Sequence, residues 1–132
     1  MDLPRGMTVA DAERLQRWPW ALVDLRLDQR RKHGILGEGR YRPHLVFGDT
    51  DEHGFVYWGV SVWLYDEAVE PGESGQAFVT FLYRIDEPPP PLCRPGAYFE
   101  IREGVAIVGS GHVIECGSGG DAWPFPRHTD PV

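Results

Sequence analysis

Histidine is the residue type in this chain best suited to acid-base chemistry or to metal binding. The five histidines are scattered along the sequence, at His33, His44, His53, His112 and His128. A metal site among them would require residues from distant segments to converge, and single histidines are more often surface or hydrogen-bonded groups. The sequence therefore predicts no metal site.

Carboxylates are the second group that could do chemistry. The segment 49–53 (Asp-Thr-Asp-Glu-His) offers oxygen ligands, but it lacks the other positions of a calcium-binding loop, so a turn is the better interpretation. Glu100 and Glu103 lie three residues apart on a predicted strand and should point to opposite faces. The sequence contains no phosphate loop, HExxH, GxSxG or paired-cysteine motif. It predicts no catalytic residue, no cofactor and no enzyme activity.

Charge is distributed unevenly along the 132 residues, whose formal net charge is −7. This balance does not favour non-specific binding to nucleic acid. The segment 49–73 carries seven acidic residues and no lysine or arginine. Two acidic residues, Asp28 and Glu38, accompany the six basic residues of the segment 26–42, which are Arg26, Arg30, Arg31, Lys32, Arg40 and Arg42. Either segment could bind a partner, or both could be solvated loops.

Cys93 and Cys116 are the two cysteines, and neither has a neighbour at metal-ligand spacing. The first twenty residues contain acidic side chains and no apolar core segment, which is unlike a signal peptide. No apolar run approaches the length needed to cross a bilayer. We therefore expect a cytoplasmic protein that does not bind a membrane and whose thiols are reduced, with a single disulfide as the less favoured alternative.

The elements that must position these residues are mostly strands. Thr8 is a candidate N-cap for a short helix over residues 9–17, which ends before Pro19. Alternating apolar residues predict a half-buried strand at 21–28 and a longer one at 55–65, which should be covered on both faces or expose an aromatic stripe. Further strands are predicted at 44–47, 77–85, 99–104 and 108–114. One helix and about six strands favour a small antiparallel barrel or sandwich.

Two segments outside the strands have unusual compositions. The proline tetrad 88–91 lies between two predicted strands and is interpreted as a rigid loop rather than a ligand for an aromatic groove. The glycine-rich segment from Gly117 onwards predicts a flexible tail, in which Trp123 and Phe125 are candidates for docking onto the domain.

Several motifs follow one another in an order known from a protein family. They are GRYRPHLVF at 39–47, Asp51 with Gly54, Pro-Gly at 71–72 and at 95–96, FEIREG at 99–104 and VGSG at 108–111. In order and approximate spacing these motifs resemble the third, C-terminal domain of bacterial elongation factor Tu. The resemblance covers residues 21–116 and implies an all-β fold, a six-stranded antiparallel β-barrel. Residues 1–20 would then be an N-terminal extension with a short helix, and 117–132 a flexible C-terminal tail.

The resemblance also carries functional expectations. The nucleotide-binding domain of the family is absent, so no GTP binding is expected. In the family, the third domain helps to hold the T-stem of aminoacyl-tRNA and offers surfaces to protein partners. The positions similar to its tRNA-side residues are Lys32, His33, His44, His53, Arg102, Glu103 and Gly104.

Two functions are consistent with these observations. The first is a stand-alone, non-catalytic module that binds a protein partner, in a decoy or immunity-like role. The alternative is a translation-associated protein that contacts tRNA through the basic loop 30–42, weakly, because affinity grows with the number of phosphates neutralised. The candidate partner- or RNA-binding residues are Arg30, Arg31, Lys32, His33, Arg42, His44, His53, Arg102, Glu103 and Gly104.

Overall fold

The computed structural model describes residues 1–37 and 39–125. They form one short α-helix, ten strands and a final 3-10 turn at Gly120–Ala122. The helix α1 is Val9–Leu15, and the strands are β1 (Trp20–Leu27), β2 (Ile35–Leu36), β3 (His44–Val46), β4 (Thr50–Asp51), β5 (Gly54–Phe55), β6 (Trp58–Leu64), β7 (Ala68–Val69), β8 (Ser74–Phe81), β9 (Tyr98–Glu103) and β10 (Ala106–Gly117).

Six of these strands form a closed antiparallel barrel. Their order is β1, β10, β9, β3, β6 and β8, and β8 pairs with β1 to complete the ring. Two short pairs, β2 with β7 and β4 with β5, lie outside the barrel sheet. The structure thus confirms the predicted fold class, an all-β protein with a six-stranded antiparallel barrel and a short N-terminal helix.

The barrel interior is filled by the apolar residues that alternate along the strands. In β1, Val23, Leu25 and Leu27 are buried, whereas the intervening Asp24 and Arg26 face outwards. Such alternation is expected of strands with one face in a core. β10 carries Gly109 and Gly111 where Ile101 and Phe99 of β9 pack closely against its backbone, and these two side chains help to fill the barrel.

A second apolar cluster covers part of the barrel's outer surface. Trp63 of β6 and Phe78 of β8 point outwards and are buried under Leu15 of α1 and under Trp123 and Phe125 from the C-terminal segment. The indole nitrogen of Trp20 donates hydrogen bonds to the carbonyl oxygens of Ser118 and Ala122, at 3.1 and 3.2 Å. The segment before β1 and the segment 118–125 after β10 therefore meet on one face of the barrel.

This cluster bears on two expectations from the sequence. The strand predicted at 55–65 is divided, because Phe55 belongs to β5 and Trp58–Leu64 forms β6. Both faces of β6 are buried over residues 60–64, whereas Phe55 is exposed. In the predicted tail, Trp123 and Phe125 were the candidates for docking, and both side chains pack on the barrel. The rest of that tail, residues 126–132, lies outside the described residues.

Element boundaries differ from the sequence predictions where backbone pairing decides them. β8 starts at Ser74 and ends at Phe81, whereas the sequence predicted a strand at 77–85, because Ser74, Gly75 and Gln76 pair with β1. The helix is capped as predicted, with Thr8 Oγ1 accepting from the Asp11 amide, but it ends at Leu15 rather than at residue 17. Among the described residues, no helix has the length and apolarity required to cross a membrane.

The proline tetrad 88–91 belongs to the loop that joins β8 to β9. The Tyr83 hydroxyl donates to the Pro88 carbonyl, and the Cys93 amide donates to the Pro90 carbonyl at 2.9 Å. Pro90 is buried. The segment is therefore fixed against its own domain, in keeping with its interpretation as a rigid loop.

Gly111→Ala should destabilise the barrel strongly. A Cβ at Gly111 would lie 2.2 Å from the Asp24 carbonyl oxygen and 2.6 Å from the Phe99 ring, so the strands would have to separate. Overpacking of this kind costs about 1–3 kcal/mol or more. Urea denaturation would measure it, and Gly59→Ala in β6 is the control because a Cβ there meets nothing within 4 Å. Equal losses in the two variants would contradict this packing.

Trp123→Ala should lower the free energy of unfolding by about 3–5 kcal/mol, because it removes a large side chain from the second cluster. Urea denaturation monitored by circular dichroism would measure the loss. Tyr98→Ala is the control, since Tyr98 is an exposed aromatic on β9. A Trp123 variant as stable as the Tyr98 variant would show that the C-terminal segment does not dock.

Candidate functional site

The basic loop that follows β1 is tied to the protein by its own ion pairs. Arg30 binds the Asp28 carboxylate through its backbone amide at 2.8 Å, its Nε at 3.0 Å and its Nη2 at 2.8 Å. These hydrogen bonds from Arg30 hold the pKa of the Asp28 carboxyl well below its usual range. Arg30 is exposed to solvent, so the pair adds little stability, but it neutralises part of the loop's charge.

Arg31 anchors the same loop to the end of the barrel. Its Nε and Nη2 donate to the Glu103 carboxylate at 3.2 and 2.9 Å, and its Nη1 donates to the carbonyls of His33 and Gly34. The guanidinium also lies over the Tyr41 ring, 5.4 Å from its centroid. The Arg31 side chain is only 19% exposed. One arginine thus links the loop, β9 and the entry to β3.

The surroundings of this ion pair shift the pKa values of its neighbours. Burial acts to raise the pKa of the Glu103 carboxyl, but the Arg31 guanidinium outweighs it and holds the pKa below its usual range. Burial, reinforced by the Glu103 carboxylate, raises the pKa of the Tyr41 hydroxyl. That hydroxyl is buried beside Glu103 without a well-formed hydrogen bond to any described residue. Tyr41 therefore stays neutral and serves as a packing group.

A second arrangement lies on the outer face of β3 and β9. His44 and Arg102 are opposite each other in the antiparallel ladder. Arg102 donates to Glu100 Oε1 at 2.6 and 3.2 Å and to the Tyr57 hydroxyl at 2.7 Å. The Tyr57 ring meets the His44 ring edge to face, with centroids 5.8 Å apart. The sequence resemblance pointed to His44 and Arg102, and the barrel places them together.

Aromatic rings surround Arg102. Its guanidinium lies 5.4 Å from the centroid of Tyr57 and 5.6 Å from that of Phe55. Phe55 is 52% exposed, and Tyr98, on the same face of β9, is 63% exposed. We call this set the aromatic–arginine surface; its members are His44, Phe55, Tyr57, Tyr98, Glu100 and Arg102. Arginine and aromatic side chains are the residue types enriched at protein interfaces.

The other candidate residues lie in loops and turns. Lys32, His33 and Arg42 are exposed on the surface. His53 lies in the turn between β4 and β5, where its ring nitrogen is 3.4 Å from a Glu52 carboxylate oxygen and both side chains are exposed. Gly104 forms the turn between β9 and β10 with φ of +62°, a conformation that favours glycine.

The sequence missed a pair on the opposite side of β10. His112 Nε2 lies 3.4 Å from Asp24 Oδ2, and the two residues are partners in the β1–β10 ladder. They line a shallow groove of about 520 Å³ with Arg26, Gln76 and Tyr98. Finding this pair would have required the register between β1 and β10, which the sequence does not supply.

Neither cysteine has the character of a nucleophile. Cys93 is buried, and burial raises the pKa of its thiol. Burial also raises the pKa of Cys116, whose thiol donates to the Cys93 carbonyl at 3.4 Å. A thiol with a raised pKa forms little reactive thiolate near neutral pH. Over residues 1–37 and 39–125, no three histidine, cysteine or acidic residues gather in a way that could hold a metal ion.

Glu103→Gln should destabilise the protein at neutral pH and have less effect in acid. Because the fold lowers the pKa of Glu103, its ionised form stabilises the native state above the ordinary value of 4.5. That contribution is lost as the pH falls through the lowered pKa of the folded state. Thermal denaturation across this range would measure it.

Glu67→Gln is the matched control for this experiment, because it removes an exposed carboxylate that forms no ion pair among the described residues. The difference in thermal stability between the Glu103 variant and the unmodified protein should become smaller as the pH falls. The Glu67 variant should show no such trend. A constant difference at all pH values would mean that Glu103 acts by packing alone.

No family model matches this chain. The likeness to the third domain of elongation factor Tu therefore rests on the motifs quoted above. What the protein does has to be argued from its fold and from the arrangement of its side chains.

Proposed function

We propose that this protein is a non-catalytic module that binds a protein partner through the aromatic–arginine surface. The observation that carries the proposal is the position of Arg102. Its side chain donates hydrogen bonds to Glu100 and to Tyr57, and it lies beside the exposed ring of Phe55. A guanidinium fixed in this way loses little side-chain entropy on binding. Phe55 and Tyr98 add apolar area that a partner would bury.

A protein partner is better supported than an RNA partner. Arg30 and Arg31, the two arginines at the start of the basic loop, already bind the carboxylates of Asp28 and Glu103. A phosphate would have to compete with these carboxylates. The formal net charge of −7 also opposes a long phosphate backbone, whose affinity depends on the number of charges neutralised.

The resemblance to elongation factor Tu gives the proposal a more specific form. A free-standing barrel similar to the third domain of that family would present a surface to which partners of such a domain bind. It would act in the cytoplasm as a decoy or in an immunity-like role, without GTP. The barrel topology and the motifs around His44 and Arg102 support this form of the proposal.

Binding to tRNA is the alternative, and one observation favours it. Lys32, His33 and Arg42 are exposed on the surface of the basic region. Each could contact a phosphate without displacing an ion pair of Arg31. Such binding would weaken steeply with salt.

The test is affinity capture from the organism's own cytoplasm, followed by mass spectrometry for protein and sequencing for RNA. We expect a stoichiometric protein partner that is lost with Phe55→Ser and with Arg102→Gln, because each removes a member of the aromatic–arginine surface. Leu36→Ser is the matched control, since Leu36 is an exposed apolar residue on β2 and lies outside that surface.

Each result distinguishes the two functions. Absence of any stoichiometric protein, or equal capture by the Phe55 and Leu36 variants, would contradict the proposed surface. Recovery of tRNA that decreases with salt and with Lys32→Gln and Arg42→Gln together would support the alternative. These two substitutions leave the Arg31–Glu103 pair intact.

A further inference from the structure

A cavity of about 500 Å³ lies between α1, the entry to β3 and the outer face of β6. Arginines dominate its charged lining, because Arg14 comes from α1 whereas Arg40 and Arg42 precede β3. Asp11 supplies the carboxylate of this lining and is bound by Thr8. Arg14 approaches it at 3.4 Å with a side chain that is 61% exposed, a longer contact than those of Arg30 and Arg31, so a phosphate can displace it more readily. The charged lining is therefore net positive in a chain whose overall charge is negative.

The wall of this cavity also contains a buried hydroxyl, that of Ser61. Ser61 is 4% exposed, and its Oγ lies 2.5 Å from Oγ1 of Thr80, which is fully buried. The Trp63 indole nitrogen donates to the same Ser61 oxygen at 3.3 Å. The three side chains form one small polar group beneath the cavity.

Counting protons in this group shows a donor without a partner. Ser61 and Thr80 carry one hydroxyl proton each, and the contact between them uses only one. If Ser61 donated, the proton of Thr80 would be enclosed in the core without an acceptor among the residues that the structure describes, which is costly. Thr80 therefore donates to Ser61. The Ser61 oxygen then accepts two hydrogen bonds, and its own proton remains for the cavity that Ser61 lines.

Arginine side chains and a fixed hydroxyl donor together select the ligand chemistry. Guanidinium groups bind phosphate oxygens in pairs of parallel hydrogen bonds, and a buried hydroxyl donates well to a charged acceptor. A phosphate has enough oxygens to contact several such donors at once, whereas a carboxylate has two. Leu15, Trp63 and Leu82 supply an apolar side to the same cavity.

We propose that this cavity binds a phosphate monoester, with the phosphate held by Arg14, Arg42 and the Ser61 hydroxyl. The apolar side then receives part of the organic group that the phosphate esterifies. The volume of the cavity, about 500 Å³, is within the range of sites for small organic ligands. The site is separate from the aromatic–arginine surface in its residues, and it does not depend on a protein partner.

Isothermal titration calorimetry with inorganic phosphate and with adenosine 5′-monophosphate would test the proposal on the full chain. We expect both to bind, the monoester more tightly because of the apolar side. Arg14→Gln with Arg42→Gln should weaken binding of each by at least about tenfold, since two charged donors are lost. Arg94→Gln is the matched control, because Arg94 is exposed in the loop between β8 and β9.

The contribution of the Ser61 hydroxyl is tested with a separate pair of variants. Ser61→Ala should weaken phosphate binding several-fold, whereas Thr80→Ser, which perturbs the same buried group but keeps both hydroxyls, should not. Circular dichroism would show that each variant is folded. Lack of binding by both ligands at about 10 mM would overturn the proposal. Equal weakening by Arg94→Gln, or acetate binding as tightly as phosphate at matched ionic strength, would do so too.

Discussion

The pairing of β1 with two strands distant in sequence is the constraint on which the rest of the structure depends. β1 runs antiparallel to β10 on one side and to β8 on the other, and these two ladders close the barrel. A closed sheet has no free edges and only two surfaces, an interior and an exterior. Once it is closed, every outward side chain must be covered by another segment or left to solvent.

On the exterior of the barrel, some outward side chains are covered by other segments and others face solvent. Across β1, β6 and β8 the exterior is covered by α1 and the C-terminal segment, whose apolar residues bury Trp20, Trp63 and Phe78. Across β3 and β9 the exterior carries Arg102, whose side chain is 14% exposed, and the exposed rings of Phe55 and Tyr98. The proposed phosphate cavity lies where the cover ends, with Arg14 from the helix and Arg40 and Arg42 from the segment before β3. Both proposed sites thus follow from where the cover stops.

Charge in this molecule is governed more by pairing than by composition. The loop after β1 is the most basic stretch of the sequence, yet Arg30 and Arg31 bind carboxylates of the same chain. Arg31 is partly buried, and its ion pair with Glu103 fixes the loop to the barrel end. A count of basic residues therefore overstates how many positive charges this loop has available for a nucleic acid. Arg102 shows that a single arginine can matter more than a cluster, because its hydrogen bonds and the rings beside it fix its position on the surface.

The sequence by itself determined that the chain is all-β with a short N-terminal helix, because alternation along 21–28 and within 55–65 and the Thr8 cap are local signals. Alternation left a barrel and a sandwich open; the resemblance implied the six-stranded barrel, and the closure of the sheet decided it. It also singled out His44 and Arg102, which the barrel brings opposite each other. Only the tertiary structure decided that Arg31 meets Glu103, that His112 meets Asp24, and that Ser61 contacts Thr80 beside a cavity lined by arginines of other elements. These contacts join residues far apart in the chain, and the strand register that creates them is set by the closure of the whole barrel.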